Sequence, residues 1–180
     1  MISNEKVIII GPSGSGKDFM LRQLNLKGLK RGVKSTTRPK RINEIESIDY
    51  HFISDNDFKD LLDKNEFICY QSFIVTPEDR SPETWMYGIT RDEFISGQVF
   101  IMTPHDLSQV SEIDRKGMFV VYLDIDRSIR ESRVLNRNDK NDSVMRRLDS
   151  DDVDFMNFRD YDLKITDPEF SPDIVIDLMV

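Results

Sequence analysis

Short apolar runs recur along the chain and alternate with stretches of helical periodicity. Val7–Ile10, Val99–Met102 and Met118–Leu123 are uninterrupted apolar runs, which are typical of strands buried on both faces of a parallel sheet. Ile165 and residues 174–176 indicate further strand material near the end of the sequence. Strands that alternate with helices over this length predict an α/β fold with about five parallel strands.

Local signals mark the remaining elements. Ser54, followed three positions later by Asp57, forms a capping box that predicts a helix start, and Asp126 predicts another. Residues 66–73 have the composition of a strand, whereas the polar, proline-containing residues 74–86 predict a loop. Further helices are expected over about residues 17–26, 91–97, 126–137 and 144–148.

A glycine-rich segment follows the first predicted strand. Residues 11–18, Gly-Pro-Ser-Gly-Ser-Gly-Lys-Asp, match the pattern G-x-x-x-x-G-K at every fixed position. Glycines there allow backbone N–H groups to converge on a phosphate, and the helix that follows adds the positive end of its dipole. The strand before it and the helix after it favour an ATP phosphate site in which Lys17 contacts the β- and γ-phosphates.

Asp18 departs from this pattern, because Ser or Thr is usual at that position. The usual hydroxyl binds Mg²⁺, and a carboxylate is also a hard oxygen ligand for this ion. Asp18 is therefore the predicted metal ligand, either directly or through a water molecule.

Composition narrows the class of protein. The chain has 180 residues, a net charge of −8 and one cysteine, Cys69. This length suits a single compact domain, and a lone cysteine excludes an internal disulfide and a cysteine-rich zinc site. The acidic balance argues against nucleic-acid coating, no apolar run is long enough for a membrane helix, and the first residues lack signal-peptide features. The expected compartment is the cytoplasm.

Charge is unevenly distributed along the sequence. Residues 27–41 contain seven basic residues and no acid, and residues 127–147 contain seven basic residues and three acids. Residues 149–180 contain ten acids and two basic residues. The two basic segments predict sites for compact anions, and the acidic residues are expected to lie away from those sites.

A longer set of motifs begins in the first basic segment. Residues 35–44 are S-T-T-R-P-K-R-I-N-E, and D-Y-H-F follows at residues 49–52. This order resembles the nucleoside-monophosphate-binding segment of the guanylate kinase family. The likeness continues through N-E-F-I at residues 65–68 and Tyr87-Gly88, and Arg133, Arg137 and Arg147 resemble the lid arginines of that family.

The resemblance implies a P-loop kinase with a three-layer α/β/α fold, a central parallel sheet, a nucleoside-monophosphate-binding insertion and a short lid. One domain over residues 1–180 would have a core at about 1–33 and 89–180, an acceptor segment at about 34–88 and a lid at about 136–147. The implied reaction transfers the γ-phosphoryl group of ATP, with Mg²⁺, to GMP or dGMP.

The same likeness implies roles for individual residues. The implied catalytic residues are Lys17, Arg38, Arg137 and Arg147. ATP would be bound by Gly11, Ser13, Gly14, Ser15, Gly16, Lys17, Asp18 and Arg133. The acceptor would be bound by Ser35, Arg38, Arg41, Tyr50, Cys69, Tyr87, Thr103 and His105.

Side-chain chemistry supports several of these roles. Arg38 and Arg41 can bind one phosphate bidentately while tyrosine hydroxyl groups donate to it. Lid arginines near the γ-phosphoryl group would stabilise the charge of the transition state. Arg130 shares their helical spacing and is expected on the surface, and Trp85 would either stack on the acceptor base or lie in a variable surface loop.

The base-binding end departs from the family pattern. Cys69 and residues 102–105, Met-Thr-Pro-His, stand where the family has guanine-binding acids, and Lys34 replaces a small hydroxyl residue. A thiol or a threonine cannot accept the two hydrogen bonds that guanine N1–H and N2–H₂ donate. The alternative acceptors are another nucleotide or ribose 1,5-bisphosphate, since a similar G-K-D loop occurs in a branch that phosphorylates the latter. A non-catalytic binding module is a further alternative, although such modules typically lack the phosphate-loop lysine.

Overall fold

The computed structural model describes residues 6–75, 81–136 and 144–179, which form two sheets surrounded by helices. The strands are β1 Lys6–Ile10, β2 Ser35–Thr36, β3 His51–Phe52, β4 Phe67–Val75, β5 Glu83–Thr90, β6 Val99–Ile101, β7 Met118–Leu123 and β8 Leu163–Ile165. The helices are α1 Lys17–Leu26, α2 Asp55–Asp63, α3 Arg91–Ser96, α4 Pro104–Gln109, α5 Glu112–Lys116, α6 Arg127–Asn136, α7 Val144–Phe155 and α8 Asp173–Met179. None of the helices in these described ranges is long and apolar enough to cross a membrane.

The central sheet has the order β6-β1-β7-β8, and all of its strand pairs are parallel. Val7 and Ile9 of β1 pack into one apolar cluster with α1, while Ile8 and Ile10 pack into a second cluster on the opposite face. Side chains alternate across a strand, so an uninterrupted apolar run serves both faces. The predicted three-layer α/β/α fold is confirmed, with four parallel strands among the described residues in place of the expected five or so.

The expected late strand at residues 174–176 is wrong, because these residues lie in α8. Val175 is fully buried in the same cluster as α1, so the apolar run is a helix face. The Ser171 hydroxyl accepts from the Asp173 backbone N–H at 3.2 Å and marks the helix start. A short apolar run alone does not distinguish a strand from a buried helix.

A second sheet, of order β3-β2-β5-β4, carries the first basic segment. Its strands β4 and β5 form an antiparallel ribbon that pairs Phe73 with Trp85 and Val75 with Glu83. The predicted loop at 74–86 is therefore wrong at both described ends, and residues 76–80 lie outside the described residues. Much of β4 is exposed, including the apolar side chains of Tyr70, Phe73 and Ile74, so the ribbon lacks the alternation of a half-buried strand.

Two local contacts attach this sheet to the core. Ile68, Cys69 and Ile89 belong to the same buried cluster as Ile8 and Ile10 of β1. In addition, the Gln109 side chain of α4 bonds both backbone groups of Tyr70, at 3.1 and 2.7 Å. The predicted capping box of Ser54 and Asp57 is present at the start of α2.

Gly32 is the position where the backbone approaches the core most closely. A Cβ built on it would lie 1.8 Å from Cε1 of Phe100, a ring that is 1% exposed. Gly32→Ala should therefore lower the free energy of unfolding by about 1–3 kcal/mol, measured by urea denaturation. Gly117→Ala is the matched control, because the nearest atom to its Cβ, the Asp114 carbonyl oxygen, is 3.6 Å away. Equal stability of the two variants would contradict this packing.

Candidate active site

The phosphate loop, residues 11–16, joins the carboxyl end of β1 to α1. Gly14 and Gly16 have φ angles of +79° and +102°, in which other residues are strained. A Cβ on Gly14 would lie 2.6 Å from the Arg130 carbonyl oxygen, and one on Gly11 would lie 2.8 Å from that of Leu123. The loop is thus enclosed by β7 and α6. Glycine is required at positions 11 and 14 because a larger residue would clash with these carbonyl oxygens.

Two donors at the phosphate loop are occupied by acceptors of the chain itself. Lys17 Nζ donates to the carbonyl oxygens of Gly11, at 2.6 Å, and Pro12, at 2.9 Å. The Ser13 backbone N–H donates to Oδ2 of Asp151, on α7, at 2.8 Å. A carboxylate of the chain therefore occupies a backbone donor of a loop whose chemistry favours anions.

Other polar residues of the loop differ in accessibility. Ser15 is fully buried, and its hydroxyl has no hydrogen-bond partner within the described residues. Asp18 lies in the first turn of α1 with its side chain exposed. The described part of the chain holds no group of three or more His, Cys, Asp or Glu side chains placed to hold a metal ion. Asp18 fits Mg²⁺ bound mainly by phosphate oxygens and water, as this ion prefers.

Acidic residues of α7 bind basic residues of α6. Arg127 pairs with Asp149, at 2.6 Å, and with Asp152, and Arg130 Nη2 donates to Asp152 at 2.8 Å. The Arg130 side chain is buried and its Nε donates to the Ile125 carbonyl oxygen. The expectations that Arg130 is a surface residue and that the acidic segment lies away from the sites are both wrong. Packing of α7 on α6 brings these acids to the phosphate loop.

A cavity of about 560 Å³ opens beside the phosphate loop. Arg133 forms part of its wall and donates to the carbonyl oxygens of Gly14, at 3.3 Å, and Pro168, at 2.8 Å. The rings of Phe19 and Phe170 add an apolar wall, with centroids 6.0 Å apart. A guanidinium plane and aromatic rings suit a flat nucleotide base. The complete lining is Gly14, Gly16, Phe19, Arg133, Asn136, Pro168, Glu169 and Phe170.

Arg38 lies just after β2 and is held by Glu44. Its Nη2 is 2.5 Å from Glu44 Oε1, and Nη1 donates to the Pro39 carbonyl oxygen. Burial of Glu44 opposes its charge, but the hydrogen bonds and positive charges of Arg38 and Arg41 together outweigh burial and lower the pKa of Glu44. Glu44 Oε2 also accepts from the Arg41 backbone N–H at 2.8 Å. The two predicted phosphate-binding arginines thus differ, since Arg38 is buried and Arg41 is exposed.

Two tyrosines flank Arg38. Its Cζ is 5.3 Å from the centre of the Tyr50 ring, and the Tyr50 and Tyr87 centroids are 5.9 Å apart. Burial raises the pKa of Tyr87, Tyr50 adds to the rise, and Arg38 only partly opposes it. Tyr87 is therefore a neutral phenol that can donate to a phosphate. Ser35, also predicted to bind the acceptor, is buried in β2, three residues before Arg38.

Lys34, directly before β2, pairs with a buried acid of α4. Lys34 Nζ lies 2.6 Å from Oδ2 of Asp106, whose side chain is 1% exposed. Burial opposes the Lys34 charge, yet Asp106 outweighs it and the pKa of Lys34 is raised. Burial, with Asp106 second, raises the pKa of Cys69 to about 12, so this side chain is a neutral thiol.

Asp106 was not among the residues predicted for the site, although it follows directly after residues 102–105, where the family pattern has an acid that this sequence lacks. The Thr103 hydroxyl accepts from the Asp106 N–H at 3.0 Å, and Asp106 Oδ2 accepts from the Thr103 N–H at 2.9 Å. Thr103 therefore caps α4, and His105 is exposed on that helix. The spacing Thr-Pro-x-Asp was the available signal, since it is a helix start with Pro in the first turn.

The predicted lid arginines are only partly described. Arg137 lies outside the described residues, whereas Arg147 lies in the first turns of α7 and is half-buried. Arg147 precedes Asp151 by four positions, so both side chains lie on one face of α7. This helix thus carries a predicted catalytic cation and the carboxylate that contacts the phosphate loop.

Comparisons of sequence and of structure with known proteins all match this chain to guanylate kinases. A model of the guanylate kinase family matches residues 3–76. Guanylate kinase from Prochlorococcus marinus is 38% identical over 69 residues, a match that spans 37% of this chain and 38% of that relative. Guanylate kinase from Rickettsia felis is 27% identical over 179 residues, covering 94% of this chain and 89% of the relative.

A solved structure shares the fold. The crystal structure of guanylate kinase from Anaplasma phagocytophilum matches with a TM-score of 0.69 and 17% identity, over 99% of this chain and 86% of that one. The phosphate loop and the Arg38 segment lie within the matched family region, and the longer alignments extend through α6 and α7. The chain is therefore similar in sequence to guanylate kinases and shares their fold, and enzymes of that name are phosphotransferases.

Proposed function

We propose that the protein is an ATP-dependent nucleoside monophosphate kinase that transfers the γ-phosphoryl group of Mg·ATP to a guanine nucleotide, GMP or dGMP. The observation that supports this proposal is the presence, in one chain, of two separate groups whose chemistry suits phosphate binding. One is the glycine loop with Lys17, and the other is Arg38 with Tyr50 and Tyr87. The names of the relatives supply the acceptor.

The two groups have complementary tasks. Backbone N–H groups of the loop and the start of α1 would hold the β-phosphate, and Lys17 would stabilise charge on the transferring group. Arg38 would hold the acceptor phosphate so that one of its oxygens lies in line with the γ-phosphorus. That oxygen is already anionic, so no general base is required. An O–P bond forms to the acceptor, the β–γ bridge breaks, and ADP leaves.

Mg²⁺ would be bound by Asp18 together with phosphate oxygens and water, and it would neutralise charge on the phosphates. Arg147, and Arg137 outside the described residues, would add positive charge from the lid side.

Turnover across acceptors tests the reaction class. ADP release should be measured with all ribo- and deoxynucleoside monophosphates and with ribose 1,5-bisphosphate, each against the ATPase background. The proposal predicts the largest rate increase with GMP or dGMP. If ribose 1,5-bisphosphate alone increases ADP release, the acceptor is a sugar bisphosphate and not a nucleotide. If no acceptor increases ADP release, the kinase assignment is refuted.

Lys17 should be essential for turnover. Lys17→Ala should lower kcat by about 100- to 1000-fold, because a fixed cation at the transferring group is lost. The variant should remain folded by circular dichroism, because Lys17 is partly exposed at the start of α1 and contributes no side chain to either apolar cluster. Lys64→Ala, which removes an exposed lysine at the end of α2, should leave kcat unchanged. Full activity of Lys17→Ala would contradict the assigned role of the loop.

Glu44 should act as a positioning residue for the acceptor. Glu44→Gln should raise the acceptor KM by roughly tenfold without changing the ATP KM, because Arg38 loses the charge-assisted bond that orders it. Glu46→Gln, an exposed substitution in the same segment, is the control.

The pH dependence of stability distinguishes this role from a general structural one. The pKa of Glu44 is lowered in the folded state, so its contribution is present above the ordinary carboxyl pKa and is lost as pH falls through the lowered one. The stability difference between wild type and Glu44→Gln, measured by urea unfolding, should disappear with acidification. A difference that grows at low pH would contradict the Arg38–Glu44 pairing.

A further inference from the structure

We propose that Lys34, held in place by Asp106, selects the acceptor base by donating a hydrogen bond to a carbonyl oxygen. The site would then accept keto bases and be indifferent to the 2-amino group of guanine. This inference rests on the proposed function, because it names the class of acceptor that the same site takes.

Lys34 belongs to the same site as the phosphate-binding arginine. It lies just before β2, and Arg38 lies just after it. The Tyr50 ring lies 5.3 Å from Arg38 Cζ, and the next residue, His51, donates its backbone N–H to the Lys34 carbonyl oxygen at 2.9 Å. An acceptor with its phosphate at Arg38 would therefore extend its other end toward Lys34.

The accessible polar atom at this end is a donor. Asp106 is 1% exposed, whereas the Lys34 side chain in front of it is 16% exposed. Asp106 Oδ2 already accepts from Lys34 and from the Thr103 backbone N–H. An ammonium has three donors, so Lys34 can bind Asp106 and still donate to a ligand.

Cys69 stands where the family pattern has a guanine-binding acid. Burial, and then Asp106, raise the pKa of its thiol to about 12, and a neutral thiol is a weak acceptor. Cys69 therefore offers no carboxylate to guanine N2–H₂. Guanine O6, like the corresponding carbonyl of hypoxanthine, uracil or thymine, is an acceptor that matches the ammonium.

Amino bases carry a donor at the corresponding position. Adenine and cytosine would place an NH₂ group against the Lys34 ammonium, leaving both without a partner. A site built around one hydrogen bond rejects analogues that lack it much more strongly than a site that makes no such bond. Selection should thus depend on the keto group alone.

Catalytic efficiencies for GMP, IMP, AMP, dTMP and CMP test the proposal. IMP should remain within about tenfold of GMP, while AMP should fall at least about 100-fold below GMP, and CMP below dTMP. A site that bound the 2-amino group through a carboxylate would reject IMP by about 10⁴-fold, and that result would overturn the proposal.

Two variants assign the selection to Lys34. Lys34→Ser combined with Asp106→Asn removes the pair without leaving a buried charge, and it should reduce the GMP-to-AMP preference by at least about tenfold. Lys34→Arg keeps both the pair and a donor and should retain the preference. Lys30→Ser, at an exposed lysine of the same basic segment, is the control.

The outcomes separate this inference from the proposed function. Absence of turnover with every nucleoside monophosphate would refute the proposed function. Turnover in which AMP equals GMP, or a double variant with wild-type selectivity, would refute only the role of Lys34.

A second, independent observation concerns the phosphate loop. We infer that Asp151 competes with ATP for the loop, because its carboxylate bonds to the Ser13 N–H in the position of an anion. Lys17 is at the same time directed to the carbonyl oxygens of Gly11 and Pro12. ATP must displace the Asp151 carboxylate from the Ser13 N–H. This displacement would detach from the loop the face of α7 that also carries Arg147.

Binding of a non-hydrolysable ATP analogue with Mg²⁺, measured by calorimetry, tests this competition. Asp151→Asn should bind roughly tenfold more tightly than wild type, because the competing charge is removed. Asp154→Asn removes the same charge from the same helix and should change affinity little. Equal or weaker binding by Asp151→Asn would overturn the inference and would favour Asp151 as a metal ligand. No binding by any of these proteins would instead refute the ATP site.

Discussion

The close approach of backbone to backbone around the phosphate loop is the constraint on which the rest of the structure depends. β1 is paired on both sides, by β6 and β7, so the loop that leaves it has a fixed origin. Gly11 then meets the Leu123 carbonyl and Gly14 meets the Arg130 carbonyl, at distances that admit no side chain. Since β7 and α6 form that enclosure, the loop, the central sheet and the helix that bears Arg133 are positioned together.

Electrostatic pairing then organises both ends of the candidate site. Several cations assigned to a phosphate are held by an acid or a carbonyl of the chain, as Arg38 is by Glu44 and Arg133 by the carbonyl oxygens of Gly14 and Pro168. Such pairing lowers the cost of burying charge and orients each group before a ligand arrives. Glu44 and Asp106 are thus acids that position basic residues, within a chain whose net charge is −8.

Patterns that depend on neighbouring residues were predictable from the sequence. The β1 run, the glycine loop and the Ser54 box have local causes, and the structure has all three. The motif residues Arg38, Tyr50 and Tyr87 also lie together, as expected for one binding segment.

Features that depend on tertiary packing were not predictable. The β4–β5 ribbon has exposed polar positions, and the 174–176 run fits a strand and a helix face equally well. Asp106 and Asp151 became visible only when α4 and α7 had been placed against residues far away in the sequence. Asp106 neutralises the charge of Lys34, and Asp151 brings a negative charge to the phosphate loop, so the residues predicted from the sequence did not include all of the charges at these two sites.

The central claim is that the protein transfers the γ-phosphoryl group of bound ATP to the phosphate of a bound nucleoside monophosphate. Phosphorus NMR of the protein with Mg·ATP and GMP tests it most directly, because it identifies the product that receives the phosphate. The account predicts that the acceptor resonance is replaced by the paired resonances of a nucleoside diphosphate while ADP accumulates. Formation of ADP and inorganic phosphate with the acceptor unchanged, whichever nucleoside monophosphate is supplied, would contradict it.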